Sequence, residues 1–138
     1  MVDLVITPAS VVAGNDASID LGAIAGETIT AGKAVYQNLT TGKWMLADNN
    51  AATPPEAKSP QGIALNGASL NQPLAVQRGG DIVIGATLVP GDSYYLGDTP
   101  GGICPRADIL TGESVTIMGI ARNATTLRIE IVESGVTL

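Results

Sequence analysis

The 138-residue sequence contains no His and no Phe, and it has a single Cys and a single Trp. Without His, the chain lacks the commonest general base, the usual Ser-His-Asp triad and most kinds of zinc site. One cysteine can form neither an internal disulfide nor a cysteine-based zinc cage, and Cys104 is interpreted as a small buried hydrophobe. We therefore predict a protein that is not an enzyme and that carries no cofactor, no metal and no catalytic residue.

Basic residues are also scarce, with seven Lys and Arg against thirteen Asp and Glu, a net charge of −6 and a pI near 4.3. Binding to nucleic acid needs clustered Lys and Arg, so this balance disfavours it. The N-terminus lacks the basic start and apolar stretch of a signal peptide, and no apolar run approaches the roughly 20 residues of a membrane helix. We expect a soluble protein made in a cytoplasm, with no nucleic acid, membrane or small-molecule partner.

What the sequence does have is seventeen Gly and eight Pro, which separate short β-rich runs. This pattern is typical of many strands joined by tight turns. The length fits one domain, and with so few aromatics Val, Ile, Leu and Ala must fill its core. We predict an all-β fold, a single compact β-sandwich or β-barrel-like domain over residues 18–138, with an extended N-terminal arm over residues 1–17.

Local patterns predict individual elements. Leu127, Ile129 and Ile131 alternate with other residues as in a strand with one buried face. Residues 115–121 are predicted as a second strand, in which Gly119 marks a bulge or close packing. The predictions for the remaining segments are a hairpin over residues 73–84 that turns at Gly79-Gly80-Asp81, a helical turn over 106–110 and an exposed loop over 49–60.

Two internal similarities indicate a repeat. Residues 26–36, which run from Gly-Glu-Thr-Ile to Val-Tyr, resemble residues 85–95. Gly-Ile-Ala at 62–64, followed by Asn66, recurs at 119–121, followed by Asn123. Both pairs of segments have nearly the same spacing, and two copies are too few for a solenoid. We predict two similar β-units packed into one sandwich or barrel.

Acidic residues supply the remaining candidates for chemistry. Asp16, Ser18, Asp20 and Glu27 match four positions of a calcium-binding loop, but Leu21 stands where that loop requires Gly, and a strand fits this segment better. Four further carboxylates lie beside Gly or Pro in predicted turns or near them, where Asp commonly satisfies backbone groups. They are given a structural role: Asp92, Asp98, Asp108 and Glu113.

Taken in order, the segments resemble the capsid cement, or head decoration, proteins of tailed bacteriophages. The resemblance covers roughly residues 20–132 and is carried by turns and strands. The matching segments are 26–36, 42–48, 62–66, 72–82, 85–88, 94–96, 101–103 and 115–121.

The resemblance implies a compact, β-tulip-like domain that binds the outer surface of the expanded phage capsid. Such proteins sit as homotrimers that clamp neighbouring subunits of the major capsid protein, which places the chain on the exterior of the virion. Related decoration proteins of the lambda type have an N-terminal arm that orders on the capsid. The capsid-binding residues expected here are Val2, Asp3, Leu4, Val5 and Ile6, because an extended arm can add a strand to a partner's sheet.

Two other classes of protein stay open. The same composition suits a β domain of a phage tail or fibre. The pattern Gly-x-Thr-Ile-x-x-Gly-x-x-Val is also similar to the hammerhead of biotinyl and lipoyl carrier domains, with Lys33 and Lys43 as the nearest attachment points. A sugar-binding module would need aromatic platforms, for which Trp44 and three Tyr are a small supply.

Overall fold

A computed structural model describes residues 3–138, and ten β-strands make up most of this part of the chain. Three short 3-10 turns, at Pro8–Ser10, Pro55–Lys58 and Arg106–Asp108, are its helical elements, and none of them is long enough to cross a membrane. The strands are β1 (Val12–Ala13), β2 (Ser18–Ile24), β3 (Ala34–Gln37), β4 (Trp44–Leu46), β5 (Gly62–Ala64), β6 (Pro73–Val83), β7 (Ser93–Leu96), β8 (Ile103–Pro105), β9 (Ser114–Ala121) and β10 (Thr126–Thr137).

The strands form one curled antiparallel sheet in the order β4-β3-β5-β6-β10-β9-β7-β8, which closes into a half-barrel. Strands β1 and β2 lie outside this path and both pair with β6, one after the other along its length. The predicted all-β, barrel-like fold class is therefore confirmed.

Strand β6 corrects the predicted hairpin over residues 73–84. The chain does not turn back at Gly79-Gly80 but continues as one bent strand, whose first half pairs with β2 and β5 and whose second half pairs with β1 and β10. Gly80 provides the bend with a φ of +84°, a conformation that glycine adopts without strain. The side-chain amide of Gln77 fixes the bend by donating to the carbonyl oxygens of Gly79 (3.1 Å) and Asp81 (2.8 Å).

The predicted repeat is present in the sheet. The strand order reads the same from either edge, so that β4-β3-β5-β6 mirrors β8-β7-β9-β10. Residues 26–36 end in β3 and their second copy ends in β7, while β5 and β9 contain the two Gly-Ile-Ala segments. We call residues 18–79 the first unit and residues 80–137 the second unit. Strand β6 is thus the last strand of the first unit and, beyond its bend, the first strand of the second.

Equivalent hydrogen bonds support this relation. The amide of Gly32 donates to the carbonyl oxygen of Ala64 at 2.8 Å, and the amide of Gly91 donates to that of Ala121 at the same distance. The left-handed turn residues are also shared, since Gly32 and Gly91 have φ values of +92° and +87°. The two units therefore share the turn that contains Gly32 in the first and Gly91 in the second.

Aliphatic side chains fill the core, as the lack of aromatics predicted. The largest cluster spans both units and includes Ile63, Ile82 and Leu127. A smaller cluster lies within the first unit around Trp44, and the guanidinium of Arg78 covers the Trp44 ring at 5.0 Å from its centre.

Other local predictions have mixed outcomes. In β10 Leu127 and Ile129 are buried and Ile131 is partly buried, as the alternation indicated. Gly119 is confirmed as a point of close packing, because a Cβ there would collide with the carbonyl oxygen of Arg128. The predicted helical turn over 106–110 is present as a shorter turn, Arg106–Asp108.

The predicted loop over residues 49–60 is present, but it is only partly exposed. It contains a 3-10 turn, Pro55–Lys58, and buries Ala57. Asn49 is fully buried, and its amide nitrogen donates to the carbonyl oxygen of Leu96 (2.9 Å) and to Oε1 of Glu113 (3.2 Å). The segment thereby connects the first unit to the second, a role that its polar, proline-rich composition concealed.

Candidate functional site

The N-terminal segment, residues 3–17, lies along the body of the protein. The amide of Leu4 donates to the carbonyl oxygen of Ile103 in β8 at 2.7 Å, and the amide of Thr7 donates to that of Gly85 at 2.9 Å. Strand β1 then pairs with the second half of β6, with Val12 opposite Val83. The predicted arm is thus extended and spans two edges of the sheet. The interpretation of Val2 as a binding residue lies outside the described residues.

Side chains of the segment alternate between the body and solvent. Leu4 and Ile6 are partly buried against the largest core cluster, whereas Val5 between them is 87% exposed. Ile6 fits because residue 32 is glycine, since a Cβ at Gly32 would collide with the Cγ2 methyl of Ile6. Of the predicted binding residues, Leu4 and Ile6 therefore contact the chain's own core, and Val5 is free to contact a partner.

Asp3 is the weakest point of this attachment. Its carboxylate lies against Gly97 and Gly102, where no Cβ could be accommodated, and its Oδ1 atom is buried without a hydrogen-bond partner. Burial raises the pKa of Asp3, with a smaller contribution from Asp98, while Thr99 and Lys33 act in the opposite direction. At neutral pH the ionised carboxylate therefore opposes its own burial, which lowers the free energy that holds the segment in place.

A shallow hollow of about 380 Å³ lies beside the segment. Its lining is made of small neutral groups: Val5, Thr7, Ser10, Val83, Gly85, Ala86, Thr87 and Thr125. Uncharged hydroxyl and methyl groups suit packing and hydrogen bonding to another chain. The hollow extends the surface that Val5 offers.

The acidic residues considered for calcium bind backbone groups of their own chain. Asp16 accepts from the amide of Asp81 at 2.8 Å, and Glu27 accepts from that of Leu46 at 3.0 Å. Asp20 accepts from the amide of Gly22 and pairs with Arg78 at 3.2 Å. The pKa of Asp20 is lowered by these two partners, first by Gly22, and that of Asp16 chiefly by Asp81. Within residues 3–138 no three His, Cys, Asp or Glu side chains come together as a metal site would need.

The other carboxylates also have local positions. Glu113 is buried, where its Oε1 accepts from Asn49 and from the amide of Leu110 (3.0 Å). Asp92, Asp98 and Asp108 are exposed or half-buried at the ends of strands and turns. The structure does not gather these four side chains into one cleft.

Cys104 lies in the interior of the second unit. It is fully buried beside Tyr95 and Ile109, and burial, assisted by the nearby charge of Asp3, raises its pKa to about 12. A thiol with so high a pKa is almost entirely protonated at neutral pH and is a poor nucleophile. Its role is packing.

Neither of the two lysines considered as attachment points forms the tip of a hairpin. Lys43 closes the turn between β3 and β4, where its carbonyl oxygen accepts from the amide of Asn38 at 2.8 Å. Lys33 packs against Gly101, in the turn between β7 and β8. The exposed tip of the β3–β4 hairpin is formed instead by Leu39, Thr40 and Thr41.

In comparisons with known proteins, the chain matches no protein-family model and no curated protein.

Proposed function

We propose that this chain is a structural virion protein of a tailed bacteriophage, which binds the outside of the expanded capsid and stabilises it. In this role it clamps neighbouring subunits of the major capsid protein and acts by binding, without a chemical reaction. The working unit is a homotrimer, and the N-terminal segment supplies the contact with the capsid.

The observation that carries the proposal is the attachment of residues 3–7. Two backbone hydrogen bonds and two partly buried side chains, Leu4 and Ile6, hold this extended stretch, and the partly buried carboxylate of Asp3, whose Oδ1 atom has no hydrogen-bond partner, opposes them. Such a stretch can exchange its bonds for those of a partner sheet, because an extended strand gains the same backbone contacts there. Val5, already exposed, is the first side chain that a partner meets.

Weak single contacts suffice if copies act together. Linking three segments in one trimer raises the effective concentration for the second and third contacts, and avidity then exceeds a single affinity by about 10²–10⁴. A modest interface per segment thereby becomes a clamp between subunits of the shell.

The proposal is tested by adding purified protein to expanded and unexpanded heads that lack it, followed by sedimentation of the heads. We expect selective binding to expanded heads and a higher temperature of head disruption. Virions that contain none of the chain, or a protein that sediments with tails alone, would contradict the proposal.

Two variants test the segment itself. Deletion of residues 1–9 and the substitution Val5→Asp should each weaken binding to expanded heads by at least about tenfold, since a buried aliphatic contact contributes about 1.5–3 kcal/mol. Val5→Asp leaves Leu4 and Ile6 in place, so it is informative even if the deletion impairs folding. Leu39→Asp, at a side chain that is 76% exposed on the β3–β4 hairpin, is the matched control and should bind normally. Undiminished binding by both N-terminal variants would exclude this segment as the contact.

A further inference from the structure

Most strand edges of the sheet are covered by the chain's own backbone. The amide of Leu4 binds the outer edge of β8, the amide of Gly26 binds Trp44 at the outer edge of β4, and β1 covers the second half of β6. Within residues 3–138, two long stretches have no such cover: the outer edge of β2, and the edge of β10 beyond Ile129, where its pairing with β6 ends.

In the repeat, the outer edge of β2 is equivalent to the outer edge of the second half of β6, and β1 covers that edge. In the first unit Ala23 of β2 faces Leu74, and in the second unit Ile82 of β6 faces Leu127 in the equivalent pair. The outer side of Ile82 is occupied by Ala13 of β1. No strand of residues 3–138 pairs with the outer side of Ala23, its counterpart, although Ala23 itself is buried.

Both bare edges carry exposed aliphatic side chains. Leu21 of β2 is 77% exposed, and Val132 and Val136 of β10 are each about half exposed. Neither stretch contains a Lys or a Pro, the residues that most often protect a free edge from pairing. Bulges interrupt β2 after Asp20 and β10 both after Ile129 and after Glu133, which leaves residues 18–20 of β2 and residues 132–133 of β10 as the regular parts available for pairing.

The charged side chains beside the two edges favour pairing of β10 with β2 over pairing of β10 with another β10. The β10 edge carries Glu133, which has no ion-pair partner among the described residues, so two β10 edges would bring like charges together. Beside β2, Asp20 is neutralised by Arg78, whose guanidinium remains partly exposed. A β10 edge therefore meets no net repulsion at β2, although each copy has a net charge of −6.

We propose that the free edge of β10 in one copy pairs with the free edge of β2 in a second copy. This head-to-tail contact covers both bare edges at once and is of the type from which closed rings are built. That the ring holds three copies rests on the proposed function; the pairing of the two edges does not.

The test uses two variants that each place a glutamate on one edge, Leu21→Glu and Val132→Glu, studied by sedimentation velocity. The new carboxylate at residue 21 repels Glu133 of the second copy, and the one at residue 132 replaces an aliphatic contact with a charge. Each variant alone should be monomeric, because every copy then lacks one of the two edges that a contact requires. A mixture should form one-to-one pairs, since the first variant still offers β10 and the second still offers β2. Leu39→Glu, with the same charge change at an exposed leucine far from both edges in sequence, should assemble like the unaltered protein.

Fluorescence of Trp44 verifies that each variant is folded. A monomeric unaltered protein at high concentration would overturn the proposal, as would assembly that survives both substitutions. If only one of the two substitutions dissociated the protein, and the mixed variants formed no one-to-one pairs, the substituted edge would pair with the same edge of a second copy. Head binding is measured separately, so the two proposals can fail independently. If the N-terminal variants bind heads normally, the proposed pairing of β10 with β2 is unaffected. If the protein forms no rings, the contact between the N-terminal segment and the head can still be tested on monomers.

Discussion

At the scale of single residues, Gln77 is the side chain on which the bend of β6 most depends. It is fully buried, and its amide nitrogen satisfies two carbonyl oxygens across the bend. Gln77→Glu keeps the shape but replaces the donor by a carboxylate that faces both oxygens. We expect this variant to lose at least about 2 kcal/mol of unfolding free energy, because buried polar groups are left unpaired.

The measurement is urea unfolding followed by Trp44 fluorescence at several pH values. The deficit of Gln77→Glu should shrink as the pH falls, since the protonated acid can again donate one hydrogen bond. Gln72→Glu is the control: Gln72 is exposed and uses only its Oε1 atom, as acceptor from the amide of Ser69, a role that Glu retains. Equal stability of the two variants would show that Gln77 does not fix the bend.

Gln77 also shows where residue-level reasoning from sequence reaches its limit. The alternation of Leu74 and Val76 with their neighbours places Gln77 on the opposite face, where a polar side chain is expected to meet water. In the structure it is buried, because β6 has neighbours on both sides and bends at this point. A side chain that hydrogen-bonds to the backbone of a bend cannot be recognised from the alternation of apolar and polar residues.

At the scale of elements, the turns between β3 and β4 and between β7 and β8 provide a matched pair of glycines. Gly42 and Gly101 occupy equivalent positions with φ values of +74° and +76°, so alanine costs a similar backbone strain of about 1–2 kcal/mol at each. A Cβ at Gly42 would meet nothing within 4 Å, whereas at Gly101 it would meet Leu46 and Lys33 within 3.0 Å.

We therefore expect Gly101→Ala to destabilise the protein more than Gly42→Ala, by about 1–3 kcal/mol, the usual cost of overpacking. Urea unfolding of both variants under identical conditions measures the difference. Indistinguishable unfolding midpoints would mean that the contact between the β7–β8 turn and the first unit is dispensable.

The secondary-structure elements that could be predicted are those determined by residues close together in sequence. The strand with Leu127 and Ile129 and the turn after Pro105 have local signals, and both are present. The hairpin over residues 73–84 was wrong because a Gly-Gly pair permits both a reversal and a bend. Which of the two forms depends on neighbours far away in the sequence, here β2, β5 and β10.

At the scale of the whole molecule, the repeat was visible in sequence because both units need the same glycines at their turns. The position of the N-terminal segment was not visible. Its apolar alternation predicted an extended arm, but whether its side chains face a partner or the chain's own body depends on space left by Gly32 beside Ile6 and by Gly97 and Gly102 beside Asp3. Such space is created by two turns that are remote from each other in sequence, since Gly97 and Gly102 both lie between β7 and β8.

The shared strand and the bridge at Asn49 connect the two units so closely that neither completes its core alone. The chain's only Trp lies in the first unit and its only Cys in the second, so each unit carries a natural probe. We expect the fluorescence of Trp44 and the reaction of Cys104 with a thiol reagent at pH 8 to change at the same urea concentration, as in a two-state transition. Folded protein should react very slowly, because burial holds the pKa of Cys104 near 12. Labelling of Cys104 at a lower urea concentration than the fluorescence change would show instead that the second unit opens independently, and that β6 joins two units that fold separately.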